Sequence, residues 1–225
     1  MGAVVSKIRA VEMSLFPDMK PDRPVGPILP SVFVGSNSDL MAAVAPFYLT
    51  GSVCDLTYGE GKWWDRFTPD PFTAHDKFKG DGVDFTALPE ADNTYDTVCF
   101  DPPYVGTDGA SSAAIADPTF QHRYGIGDAT GGPSNGNVEQ LIVDGVREAC
   151  RVSRRWVLVK CMEYAKAAFV DMPHIVTSTV LAVGLVKHDQ IVHHTGSGPG
   201  GRNIFDPKRA RRHHSYLLVF AKGKP

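Results

Sequence analysis

From Ser52 onward the chain alternates short apolar runs with longer, more polar stretches. Ser52–Leu56, Phe72–Asp76, Thr97–Phe100, Trp156–Lys160, Thr179–Val186 and Tyr216–Ala221 are rich in Val, Leu and Phe and close near glycine or charged residues. Runs of that length and make-up predict buried strands. Val138–Val152 instead repeats at helical spacing, with aliphatic residues at 138, 141, 142, 146 and 152 and Ala149 and Cys150 between them. Strands alternating with such a segment predict βα units and a mostly parallel sheet. Residues 187–215 read as a long loop or hairpin between the last two runs, which makes the final strand antiparallel. Ser36 or Ser38 is placed to cap a helix over roughly 39–49, with Asp39 in its first turn and Pro46 positioned to kink or shorten it. Five prolines at 17, 21, 24, 27 and 30 make residues 1–30 an extended arm or lid.

At 225 residues, 43% hydrophobic and 21% charged, the chain reads as one soluble domain with a sizeable core. No run approaches the roughly 18 apolar residues of a membrane helix, and no basic patch precedes an apolar stretch at the start. The expectation is a cytoplasmic protein. Cys54, Cys99, Cys150 and Cys161 show no Cys-x-x-Cys spacing, so reduced thiols are expected rather than disulfides or a zinc site. The net charge of −2 conceals a split: residues 1–146 hold 9 Lys+Arg against 20 Asp+Glu, and residues 147–225 hold 14 against 5. The halves carry −11 and +9. Either the basic part holds a polyanion, or opposite charges face each other across the fold.

Two segments carry chemistry. Val53-Cys-Asp-Leu-Thr-Tyr-Gly-Glu-Gly61 is an apolar strand running into an acidic residue and closely spaced glycines, which lets a ligand approach the backbone without Cβ atoms in the way. Phe100-Asp-Pro-Pro-Tyr104 ends another strand. Its two prolines stiffen the backbone and remove two N–H donors. The acidic and aromatic neighbours then make a pocket of acceptors beside a stacking surface, suited to a planar amine.

With Asp101-Pro102-Pro103-Tyr104 standing 42 residues after the Gly59 turn, the chain resembles the S-adenosylmethionine-dependent amino-methyltransferases of nucleic acids. Their catalytic motif is (Asp/Asn/Ser)-Pro-Pro-(Tyr/Phe/Trp), and their cofactor loop is a Gly-x-Gly turn after the first strand. The likeness covers residues 31–222 and is nearest to small phage and bacterial DNA methyltransferases. It implies a methyltransferase domain over 31–225 with a three-layer α/β, Rossmann-like class I fold, S-adenosyl-L-methionine as cofactor and DNA as partner. Position by position, Asp55, Thr57, Tyr58, Gly59 and Gly61 would form the cofactor loop, Asp76 would hold the ribose hydroxyls, and Asp84 and Phe85 would read the cofactor's adenine. Thr57-Tyr58 departs from the Pro-Phe of many relatives. Asp101 and the Pro102 carbonyl would accept the hydrogens of a flipped base's amine while Tyr104 stacks on the ring. No metal and no covalent enzyme intermediate are implied. Asp at 101 tilts the target toward adenine N6. Cytosine N4, guanine N2 of ribosomal RNA and a non-catalytic nucleic-acid-binding module stand as alternatives.

Other stretches bear on substrate. Residues 187–215 hold Lys187, His188, His193, His194, Arg202, Lys208, Arg209, Arg211, Arg212, His213 and His214, an arm suited to phosphates. The histidine pairs lack the spacing and companions of a metal site. Residues 105–136 predict a flexible flap over the target base, with Arg123 and Tyr124 as candidate DNA contacts. Lys160 at a strand end either positions substrate or snorkels to solvent. Trp63 and Trp64 are expected in the core. Only 39 residues separate Gly61 from Asp101, too few for an inserted recognition domain. Sequence readout must come from flap, arms, a homodimer partner or a separate specificity protein.

Overall fold

A computed structural model describes residues 28–103, 135–165, 169–196 and 213–223, with the side chains of 135–137 and 165 excepted. Its centre is a seven-stranded sheet built from β1 (Val32–Val34), β2 (Val53–Asp55), β3 (Phe72–Ala74), β4 (Tyr95–Phe100), β5 (Ser153–Cys161), β8 (Val186–His194) and β9 (His214–Ala221). The order is β1-β8-β9-β5-β4-β2-β3. β9 runs antiparallel to both β5 and β8, and the remaining pairings are parallel. β6 (Tyr164–Ala165) and β7 (Phe169–Val170) form a separate two-stranded ribbon.

Helices cover both faces. α1 (Asn37–Tyr48) starts in a reciprocal capping box, in which Asp39 N–H donates to Ser36 Oγ at 3.1 Å and Ser36 N–H donates to Asp39 Oδ2 at 3.1 Å. It runs through Pro46 to Tyr48. Leu40, Met41, Val44, Ala45 and Tyr48 bury against Trp63, Trp64, Cys99, Trp156 and Leu158. α2 (Asn135–Val152) takes the opposite face, where Val138, Ile142, Val146 and Ala149 meet Val98, Phe100, Val157 and Val159. A Cβ on Gly145 would lie 2.5 Å from Phe100 Cζ and 2.7 Å from Phe85 Cδ2, so glycine is what allows α2 to approach so closely. The fold is a three-layer Rossmann-like α/β fold with a mostly parallel sheet and an antiparallel last strand.

Two expectations fail. Thr179–Val186 is not a strand: α3 (Met172–Ala182) occupies most of it, and β8 begins at Val186. Asp171 caps α3 by accepting from His174 N–H at 3.0 Å, Pro173 sits in the first turn, and buried Met172, Val176 and Val180 repeat every four residues. The β-branched content of the segment masks that helical period. Residues 187–194 are not part of a basic loop either. They belong to β8, where His188 packs on Trp156 with ring centroids 4.9 Å apart and His193 is 1% exposed. Arg202, Lys208, Arg209, Arg211 and Arg212 lie outside the described residues, as do Tyr104, Arg123 and Tyr124. The last two positions of the expected flap, 135 and 136, already belong to α2.

All four cysteines are free and buried. Among the described residues no helix is long and apolar enough to cross a membrane, and no cluster of His, Cys, Asp or Glu is arranged to hold a metal.

Candidate active site

The carboxyl ends of β2, β3 and β4 open into one cavity of about 510 Å³. Asp55, Thr57, Tyr58 and Gly59 line it from the β2 loop, Asp76 and the Asp84-Phe85 pair from the segment after β3, and Asp101, Pro102 and Pro103 from the end of β4. Ten residues singled out from the sequence thus share one space. Gly61 does not line it; at φ +69° it closes the turn, its N–H donating to Tyr58 O at 2.8 Å. A Cβ there would meet the Tyr58 hydroxyl at 2.5 Å and the ring's Cζ at 2.7 Å.

The loop is held by its own polar groups. Asp55 is 2% exposed. Its Oδ1 accepts from Thr57 N–H at 2.9 Å and its Oδ2 from the Trp64 indole N–H at 2.7 Å. Burial pushes the Asp55 carboxyl up to about 7 against those donors, and the charge of Asp101 pushes the same way. Thr57 joins the two motifs: its Oγ1 accepts the Asp101 backbone N–H at 2.9 Å and faces Asp55 Oδ1 at 3.5 Å. The departure from Pro-Phe therefore has a visible consequence, because proline has no hydroxyl to meet that N–H. Trp64 packs in the core as expected. Trp63 is also buried but borders the cavity, and its indole N–H finds no partner among the described residues.

Asp76 stands two residues beyond β3. Its Oδ2 accepts from Gly59 N–H at 2.8 Å, and its Oδ1 accepts from Phe78 N–H at 2.9 Å and Lys79 N–H at 2.7 Å. Asp84 Oδ1 takes the Thr86 N–H at 2.9 Å, while its Oδ2 meets the Lys77 ammonium at 2.6 Å. Burial opposes the charge on Asp84, but Lys77 and Thr86 outweigh it and hold the carboxyl below its ordinary range. Phe85 packs against Phe100, centroids 5.1 Å apart. Behind this segment the buried His75 ring bridges two carboxylates, Asp81 at 2.6 Å and Glu90 at 2.9 Å, and so ties the residue 76–84 loop to the body of the domain.

Sequence reading missed Asn37, Lys62, Lys77, Phe78, Lys79 and Leu141, which also line the cavity. Leu141 was visible only as part of an apolar helix face, and Asn37 only as the residue after a helix cap. Lys160 is 6% exposed at the end of β5 and does not snorkel to solvent.

Chemically, the cavity offers carboxylates at several depths, an aromatic face at Phe85 and glycine backbone at the mouth. That combination suits a ligand with hydroxyls, a planar amine-bearing ring and a positive charge.

No protein-family model and no curated protein matches the chain. Among solved structures, the chain is similar to a Thermus thermophilus protein provisionally described as a DNA modification methylase, at 10% identity and TM-score 0.36, covering 86% of this chain and 53% of that one. A methyltransferase from Thermoplasma acidophilum, also provisionally described, shares 13% identity at TM-score 0.35 over 85% of this chain and 66% of its own. The magnesium protoporphyrin IX methyltransferase of Synechocystis PCC 6803, solved with bound S-adenosylmethionine, shares 11% at TM-score 0.41, covering 83% and 79%. The chain thus spans about half to two thirds of the first two. Likenesses this distant assign neither substrate nor cofactor to it.

Proposed function

We propose that the chain is an S-adenosylmethionine-dependent methyltransferase acting on the exocyclic amine of a flipped nucleic-acid base, with adenine N6 in DNA as the leading target. The observation that carries this reading is the shared cavity: Asp101-Pro102-Pro103 borders the same space as the Gly59 turn, Asp76 and Asp84-Phe85.

The residues fit the cofactor. A Cβ on Gly59 would project into open space, with no atom nearer than 3.9 Å and Asp76 Oδ2 at that distance, so the glycine leaves a cradle where a ligand can lie against the backbone. Asp76 retains one lone pair, on Oδ2, for a ribose hydroxyl, Asp84 accepts an adenine amine, and Phe85 supplies the flat face. When bound, S-adenosylmethionine supplies a methyl group already activated by a positive sulfur.

The chain's own contribution is then chiefly positional. The Asp101 carboxylate and the Pro102 carbonyl accept the two hydrogens of the target amine and so turn its lone pair toward the methyl. Thr57 fixes the Asp101 backbone relative to the cofactor loop. The proton released on methylation passes to solvent or to the Asp101 carboxylate.

Incubation with labelled S-adenosylmethionine and unmethylated DNA or RNA, followed by hydrolysis to nucleosides, tests the reading. Label in N6-methyladenine from DNA is expected. Label in N4-methylcytosine, or only in RNA, replaces the substrate, and bound cofactor without transfer to any nucleic acid rejects the enzymatic reading.

A further inference from the structure

Lys160 is a buried cation that the proposed chemistry leaves unused. It lies at the carboxyl end of β5, where β4 and β5 pair in parallel with Phe100 opposite Val159. Asp101 and Lys160 are the next residues on each strand, and neighbouring strands stand about 4.8 Å apart. Along β5, Val159 faces the α2 side of the sheet, whereas Leu158 and the Lys160 partner Leu217 belong to the α1 side. Lys160 therefore projects toward α1 and Trp63. There its ammonium donates to Asn37 Oδ1, at the first residue of α1, and sits 5.9 Å from the Trp63 ring centroid. Asn37, Trp63 and Asp101 all border the 510 Å³ cavity.

An ammonium 6% exposed beside a neutral amide and the positive end of a helix is costly unless a negative charge compensates it. Resting on the reading of Asp101 given above, we propose that Lys160 is the buried counter-cation of Asp101, a positioning residue that keeps the Asp101 side chain ionised and turned toward the target amine. Asn37 and the face of Trp63 orient the ammonium in turn.

The surrounding charges agree with that geometry. Burial pushes the Lys160 ammonium down, and the Asp101 charge opposes it. From β2, Asp55 repels Asp101, since each carboxylate disfavours charge on the other. From β8, His193 is driven toward its neutral form first by burial and also by Lys160 and His194, while the Gly35 carbonyl and Asp101 work the other way. On β5, burial raises the Cys161 thiol and holds it neutral, with Asp101 adding to the effect. Lys160 is thus a cation placed to offset the repulsion between Asp55 and Asp101. Ionised, Asp101 offers only acceptors to the amine, whereas the protonated acid presents a hydrogen to it and keeps fewer acceptor sites.

The test is the titration of the Asp101 carboxyl, followed by carbon NMR in wild type, Lys160→Arg, Lys160→Met and Lys160→Gln, alongside the pH profile of kcat/KM. Removing the cation in the Met and Gln variants is expected to raise the Asp101 midpoint by about one pH unit, with the acidic limb of the rate profile moving by the same amount; Arg restores both. An Asp101 midpoint shared by all four proteins overturns the proposal. The NMR titration does not depend on turnover. A shifted midpoint in a protein that methylates nothing leaves the Lys160–Asp101 pair standing while rejecting the proposed function, and an active enzyme with an unmoved midpoint does the reverse.

Discussion

The two ends of the sheet use the same residue types for opposite purposes. At the amino end, several charges are tied down by networks of partners. Arg151 donates to Glu90 O at 2.7 Å, Leu88 O at 3.0 Å, Asp92 at 3.0 Å and Glu148 at 2.7 Å, drawing the chain before β4 onto α2. Arg154 reaches Asp96 at 2.9 Å and the carbonyls of Asn93 and Thr94, and Lys222 donates to Cys150 O at 2.8 Å and Ser153 O at 2.9 Å. At the carboxyl end, Asp55, Lys160 and His193 are charged or titratable groups taken almost wholly out of solvent. Burial raises the Asp55 carboxyl to about 7, Lys160 has a neutral amide at its ammonium, and His193 keeps a buried Nδ1 without a partner among the described residues. Satisfied charges at one end hold the strands in register. Strained charges at the other are available for chemistry, which is where perturbed groups gather in active sites.

Several changes would break or sharpen that contrast. The largest effect is expected from Asp101→Ala at the carboxyl end, which should lower methyl transfer by roughly 100-fold or more while cofactor affinity, measured by calorimetry, stays within a few-fold. Near-normal turnover would remove Asp101 from the chemistry.

Next is Asp55. Its folded carboxyl is raised from 3.8 to about 7, so the folded state holds a proton that the unfolded chain releases. Its contribution to stability is full below about pH 4 and is lost as pH rises through 7, at about 1.4 kcal/mol per pH unit between those two values. Denaturation midpoints of wild type and Asp55→Asn between pH 4 and 8 read this directly. The wild-type curve should fall relative to the variant, and parallel curves would mean that Asp55 is ionised throughout.

At the amino end, Arg151→Ala should cost about 2 kcal/mol, a fall in Tm of roughly 4–8 °C, because two backbone carbonyls and Glu148 lose their donors. Cofactor affinity should not move; an equal loss of both would erase the division between the two ends. The smallest effect is expected for Arg154→Ala. Its side chain is 53% exposed, and a pair of that kind is worth about 0.5 kcal/mol, which a thermal melt should place well below Arg151→Ala.

The charge split along the chain illustrates how far sequence reading reached. Only one of its two explanations can be followed in the described residues. Arg151 with Asp92 and Arg154 with Asp96 are contacts between the basic and acidic parts across the fold, whereas five of the candidate phosphate-binding cations, Arg202 and those between 208 and 212, lie outside the described residues. The apolar runs of β2, β4, β5 and β9 were legible because a central strand buried on both faces leaves an uninterrupted apolar stretch. β1 escaped notice: it is three residues long, and Val32 and Val34 are 59% and 65% exposed. α3 was misread because Val, Ile and Thr favour strands locally, while the burial of Met172, Val176 and Val180 decides the outcome.

The same boundary runs through the site. A glycine turn after one strand and Asp-Pro-Pro after another are local signals, since each records what the backbone must do at that point, and they marked the two loops proposed for cofactor and amine; Asp76, Asp84 and Phe85 were marked only through the family resemblance. Nothing in the order of residues says that Thr57 meets the Asp101 N–H, that Asn37 holds Lys160, or that Asp55 and Asp101 each disfavour charge on the other. Those relations join positions 44, 123 and 46 residues apart. They exist only once parallel strands lie side by side and water is excluded between them, because proximity and a low dielectric are properties of the packed molecule rather than of the chain.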